Sequence, residues 1–297
     1  MNFKTGYTFF SCILIAVILS SCGTPANDND AISNLDTVAA VQHEKNTKVQ
    51  KVFASIPSQS ETTTLLKDAG AKYNAAYLSP IENLSKYVSL RSRALNLGVY
   101  GTDLSFTSIF DQTQESMLYL RCTNKLSTGL GITGAFDENM NSRLEANTDN
   151  KDSLLAIISE SYFSADKYLQ ENGQAGVSAL LIAGGWIEGL YIATKIADDT
   201  KNETIISRVV EQYPTLINLI SLLESYKKDN EDSKEALANL NELKKVYDDI
   251  AAENPSVAEK LKTAGTPGNT TLAKPTAVQF KRISDKSAEI RAKTIAQ

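Results

Sequence analysis

From Ser58 onward the chain sets apolar and polar positions at the three-to-four-residue spacing of amphipathic helices. Leu65, Leu66, Ala69, Tyr73, Ala76 and Tyr77 share one face, behind a capping box formed by Ser58 and Glu61. A second box, Ser79 with Glu82, has Pro80 at the first helical position and opens the run Ile81, Leu84, Tyr87, Val88, Arg91 and Leu95. Gly98 is placed to stop that helix. The next apolar run holds Leu104, Ile109 and Phe110, then Met117, Leu118, Arg121, Cys122 and Leu126. Asp111 and Gln114 are candidate caps between them, so the spacing fits one helix or two. Gly129, Gly131 and Gly134 mark a loop, and Phe136, Met140 and Leu144 a short helix ending near Asn147.

The clearest pair follows. Leu154, Leu155, Ile157, Ile158, Tyr162, Ala165 and Leu169 form a broad apolar face that starts at Asn150 and is closed by Asn172-Gly173. Residues 175–197 are apolar on nearly every side, the mark of a buried helix or a membrane span. Glu188 and Lys195 favour the buried helix. Gly184, Gly185 and Gly189 each cost a helix about 1 kcal/mol against alanine, which packing or a ligand must offset. Residues 203–226 read as one helix kinked at Pro214, and 233–253 as another ended by Asn254-Pro255. A Gly-, Pro- and Thr-rich linker at 263–275 leads to a tail where Val278, Ile283, Ile290 and Ile295 alternate with Lys281, Arg282, Lys286, Arg291 and Lys293. A helix docked on the acidic body is the expected state of that tail. No strand pattern competes. The fold class is all-α, with antiparallel helical hairpins packed as a bundle or a short array like tetratricopeptide repeats. Residues 85–119 also echo 161–191, through Gly98-x-x-Gly101 against Gly173-x-x-Gly176 and a closing Leu-Tyr in each. A duplicated hairpin and a coincidence between amphipathic pairs both stay open.

The N-terminus follows different rules. Lys4 precedes an apolar stretch, 9–19, too short to span a bilayer but right for a signal-peptide core. Leu19-Ser20-Ser21-Cys22 resembles a bacterial lipobox, so Cys22 is the expected lipidation site and the membrane the first expected partner. Gly23 rather than Asp follows Cys22, which points to the outer membrane. Asp28 and Asp30 sit too far from Cys22 to settle periplasmic against surface-facing exposure. Residues 23–50, polar with one proline, read as a tether. The expected organisation is therefore a signal peptide at 1–21, a tether at 22–50, a helical domain at 51–263, and a linker with a basic helix at 264–297.

Composition narrows the chemistry. The 297 residues carry a net charge of −5, which argues against nucleic acid as a partner. Of three cysteines, Cys12 lies in the signal peptide and Cys22 in the lipobox; Cys122 alone remains for the body, so no internal disulfide forms there. The single histidine, His43, lies in the tether, which excludes Ser-His-Asp triads, Cys-His dyads and histidine-rich zinc sites from the body. No catalytic residue, metal ligand or cofactor is assigned. What stands out is Glu188 on an apolar helix, and Asp103 as a second such charge, with Arg91, Arg93 and Arg121 as candidate partners. A structural ion-pair network is the simpler reading. The sharper one is a ligand pocket of Tyr100, Asp103, Trp186, Glu188 and Tyr191. Paired carboxylates would also suit an envelope hydrolase.

The stretches Ile56-Pro57-Ser58 with Glu61, 94–104 (ALNLGVYGTDL) and 183–191 (AGGWIEGLY) resemble a family of uncharacterised lipoproteins from Bacteroidetes-type bacteria. That resemblance implies an envelope address and brings no mechanism. The expectation is a lipid-anchored, non-enzymatic helical domain that binds an envelope protein or peptide.

Overall fold

Ser89 and Ser92 cap each other's backbone N–H groups and start helix α1, Leu90–Ile109. A computed structural model describes residues 47–297 except 53–54, 56–64, 133–141, 145, 148–149, 227–232 and 265–270. All of these residues lie in one unit, His43–Gln297. After α1 come α2 (Thr113–Gly129), α3 (Lys151–Glu171), α4 (Ala175–Thr200) and α5 (Glu203–Val210). Then come α6 (Tyr213–Tyr226), α7 (Ser233–Glu253), α8 (Pro255–Thr263) and α9 (Ala277–Ile295). Two 3-10 turns, Ala75–Tyr77 and Ile81–Lys86, precede α1. The protein is all-helical, with no strand among the described residues.

The core is built on α1 against α4. A side-chain carbon on Gly98 would lie 2.1 Å from the Leu181 carbonyl oxygen, and one on Gly184 1.9 Å from the Leu95 oxygen. The backbones touch here, and only glycine allows it. Thr102 Oγ1 donates to the Gly185 carbonyl at 3.1 Å just beyond. Leu95 against Gly184 and Thr102 against Gly185 and Gly189 fix the register, and it rises along both helices together. The central pair therefore runs parallel and is not one of the expected antiparallel hairpins. Gly101 makes room for the Tyr162 ring of α3, whose hydroxyl donates to the Gly98 carbonyl at 3.1 Å.

This contact overturns the reading of Gly98 as a helix stop. α1 runs through Gly98 and Gly101 and ends at Ile109, eleven residues beyond Gly98, just before Asp111 takes a positive φ of 56°. The apolar run after it divides into two helices, α1 and α2. The proposed repeat loses its basis as well. Gly98-x-x-Gly101 is helix interior, whereas Gly173, at φ 70°, is a true turn between α3 and α4.

Other boundaries shift for local reasons. The helix expected through Tyr77 ends at Asp68, because Gly70 adopts φ 69° and residues 71–74 are irregular. Ser79 does not cap the turn after it: Pro80 holds that place without a side-chain bond, and the helical cap falls to Ser89. Pro214 kinks nothing, because a turn at 211–212 separates α5 from α6 and the proline sits in the first turn of α6. Asn254 ends α7 and caps α8, with Pro255 at its first position. Residues 47–52, at the edge of the expected tether, are helical, with Val49 and Val52 buried. The lipobox, His43, the Ser58–Glu61 box, Phe136 and Met140 lie outside the described residues.

α4 is long and apolar enough to cross a membrane, but 78% of its most apolar stretch is buried against the other helices. The basic segment is no appendage. α9 packs on α4, α7 and α1 and buries Phe280, Ile283 and Ile290, side chains contributing about 1.5–3 kcal/mol each. Its outer cations meet acids of α7: Arg282 with Glu253 at 2.7 Å and Lys286 with Glu242 at 3.3 Å. Such exposed pairs orient the helix more than they stabilise it. The loop before α9 is pinned by Ala273 N–H on Ser207 Oγ at 2.9 Å, and Ser207 also donates to Glu211, the 3.0 Å partner of buried Lys260.

Two glycines in the same helix give a direct test. Gly184→Ala is expected to cost about 3 kcal/mol through overpacking. Gly189→Ala, whose new carbon meets nothing closer than Thr102 Cγ2 at 3.9 Å, should stabilise by about 0.5–1 kcal/mol. Urea unfolding of both variants measures the contrast, and equal effects would contradict the backbone contact.

Candidate functional site

Glu188 lies one turn beyond the α1–α4 contact, facing α9. Nothing of it reaches solvent. Its partner is Arg291, not Arg91, Arg93 or Arg121. Arg291 Nε donates to Glu188 Oε2 at 3.0 Å and Nη2 to Oε1 at 2.9 Å, a bidentate pair. Nη2 also lies 3.3 Å from the Tyr77 carbonyl oxygen, and the guanidinium carbon sits 4.6 Å from the centre of the Tyr191 ring. The rejected arginines work elsewhere. Arg91 pairs with Glu235 at 2.5 Å, Arg93 donates to the Gly129 carbonyl at 2.8 Å, and Arg121 is exposed.

Asp103 of α1 is equally buried, and its carboxyl and that of Glu188 act on one another. Its Oδ2 accepts the Ser79 N–H at 3.1 Å. Burial, then the neighbouring Glu188, hold its carboxyl well above the usual carboxylate range.

These charges do more than satisfy one another. Residues 78–80 link two 3-10 turns without regular structure of their own, and the backbone groups from Tyr77 to Pro80 need partners. Arg291 takes the Tyr77 carbonyl and Asp103 the Ser79 N–H. Tyr119 Oη donates to the Ser79 carbonyl at 2.9 Å, and Tyr100 Oη to the Pro80 carbonyl at 2.9 Å. The rings of Tyr87, Tyr100 and Tyr119 pack in tilted contact, at centre distances of 6.0 and 5.9 Å, beside this clamp. Tyr77 itself reaches Asp199 of α4 through its hydroxyl. An irregular segment is thus held on both sides by helix side chains.

Of the five candidate ligand-binding residues, four gather here: Tyr100, Asp103, Glu188 and Tyr191. Trp186 does not. Two residues before Glu188 on one helix, it points away, and its Nε1 donates to Gln212 Oε1 at 3.3 Å in the α5–α6 turn. Glu188 is held by Arg291, Asp103 and Tyr100 bond the 77–80 backbone, and the Tyr191 ring lies against Arg291. With Glu188 sealed from solvent and both oxygens on Arg291, the acid–base role required of a hydrolase has no access to substrate. A cavity of about 20 Å³, room for one water, lies elsewhere, between Leu97, Leu104, Leu120, Leu144 and Ile158. Cys122 is buried, which pushes its thiol up to about 11, and it behaves as a small core residue. No cluster of three or more metal-binding side chains occurs among the described residues.

Sequence reasoning missed Arg291, Tyr77, Ser79 and Tyr119. Arg291 was detectable. Phe280, Ile283, Ser284, Ser287, Ile290, Arg291 and Thr294 form one helical stripe, and all are buried. An arginine on an apolar stripe signals a buried acid opposite it. No family model matches this chain, and no curated protein or solved structure does either.

Breaking the pair from one side strands a buried charge. Arg291→Met is expected to destabilise by about 3–5 kcal/mol. Adding Glu188→Gln should recover at least about 1 kcal/mol relative to the sum of the two single effects. A double-mutant cycle by chemical denaturation measures this, and strict additivity would mean that the two side chains do not interact.

Proposed function

We propose that this chain is a lipid-anchored protein of the bacterial cell envelope whose helical body is a non-enzymatic binding domain for an envelope protein or peptide. Leu19-Ser20-Ser21-Cys22 carries the reading. A short apolar core before it and Gly23 after it support cleavage, lipidation of Cys22 and residence in the outer membrane. Each buried methylene of an acyl chain contributes about 0.8 kcal/mol, so the several chains of a bacterial lipoprotein hold firmly where one would not. The interior charges favour binding over catalysis: the carboxylates best suited to acid–base work are bound to Arg291 and to backbone. Resemblance to the Bacteroidetes-type lipoproteins supports the same address.

Labelling cells with an alkyne-tagged fatty acid tests the anchor. The expected result is a labelled protein in the outer-membrane fraction, and a Cys22→Ala variant that is unlabelled and released from membranes. Label persisting in the variant would sink the lipobox reading. Cross-linking in intact envelopes tests the second half, which fails if no partner is enriched over an unrelated lipoprotein.

A further inference from the structure

Asp103 and Glu188 are both fully buried and act on one another in the core, yet an ionised carboxylate only accepts. Two of them cannot bond without a proton between them. Glu188 has each oxygen on an Arg291 N–H, at 3.0 and 2.9 Å. Asp103 has the Ser79 N–H on Oδ2, while its buried Oδ1 meets no donor. The charge count agrees. Arg291, from α9, is the one cation among the described groups that act on Asp103, and Glu188 cancels it. The other titratable groups around the site are Tyr73, Tyr100, Tyr119, Cys122, Tyr162 and Tyr191. Burial pushes each of them up, so they are neutral at pH 7. An ionised Asp103 would leave a net negative charge sealed inside the protein, which is costly.

We propose that Asp103 is a buried proton-binding site. Its Oδ1–H donates to the Glu188 carboxylate, which Arg291 neutralises, and the resulting uncharged triad clasps α9 to α1 and α4. The proton comes from solvent as the chain folds, and it assigns the roles of the two acids: Glu188 is the anion because it owns the arginine, and Asp103 is the acid. The inference depends on the helical body alone, not on the lipid anchor.

A consequence for pH follows. Asp103 binds its proton more tightly in the folded chain than at its ordinary value of 3.8, for the burial and Glu188 contact already given. Its stabilising contribution is complete below that value and is lost as pH rises toward and through the folded value. Within that window the folded chain holds one more proton than the unfolded chain, so unfolding becomes easier by about tenfold per pH unit. Asp103→Asn keeps a donor in the same place and has no proton to lose.

Two measurements on the purified full-length chain decide the matter. Infrared spectroscopy at pH 7 should show a carbonyl band of a protonated carboxyl group that shifts on ¹³C-aspartate labelling and is missing from Asp103→Asn. Absence of an aspartate-sensitive band in the wild-type chain overturns the proposal without recourse to any variant. Denaturant unfolding from about pH 5 to 8 should then show wild type losing stability against Asp103→Asn as pH rises, by up to about tenfold per unit in the unfolding constant. Parallel pH profiles overturn it equally.

Discussion

The fold depends on two backbones being allowed to touch. Where α1 crosses α4, Gly98 and Gly184 bring main chain against main chain, and a single added carbon on either would overlap a carbonyl. Close approach in a parallel register puts the residues of the following turn opposite one another. Asp103 follows Gly98 by little more than a turn, and Glu188 follows Gly184 by one. The crossing thus brings two carboxyl groups together inside an apolar core, and the polar clamp results from that packing.

Burying two acids side by side makes sense only with what surrounds them. Arg291 answers the charge, and Ser79 offers its N–H. In return the acids, together with Tyr100 and Tyr119, satisfy a stretch of backbone that belongs to no helix. That stretch lies between α4, α9 and the α1–α2 pair. A well-packed apolar core would be at least as stable as a buried ion pair. What the charged version adds is definition, since a shifted arrangement of residues 77–80 would lose the Arg291 and Asp103 bonds and strand a charge.

Much of this was legible in the residues. The helical class, the position of α3 and α4, the end of α7 at Asn254 and the burial of the apolar helix all follow from periodicity and caps. Misreadings concentrate where glycine and proline have two meanings. Gly98 has the local signature of a stop and the tertiary role of a contact, and only the partner helix, some ninety residues away, distinguishes them. Pro214 reads as a kink when the helix is drawn too long and as an initiator once the turn at 211–212 is seen. Glu188 was singled out for a sound reason, its cost in an apolar setting. Arg91, Arg93 and Arg121 were its expected partners, whereas tertiary packing supplies Arg291 from α9.

α9 also closes the site across a long sequence separation. Arg291 is close to the C-terminus and its contacts reach back to Tyr77 and Glu188, across most of the described chain. Until α9 is in place, the α1–α4 crossing would hold two acids and no cation, and residues 77–80 would lack one of their donors. The central helix pair packs through its own surface, and its Glu188 end is closed by Arg291 of α9. α9, expected only as a helix docked on the acidic body, is therefore the piece that lets the buried carboxylates stay buried.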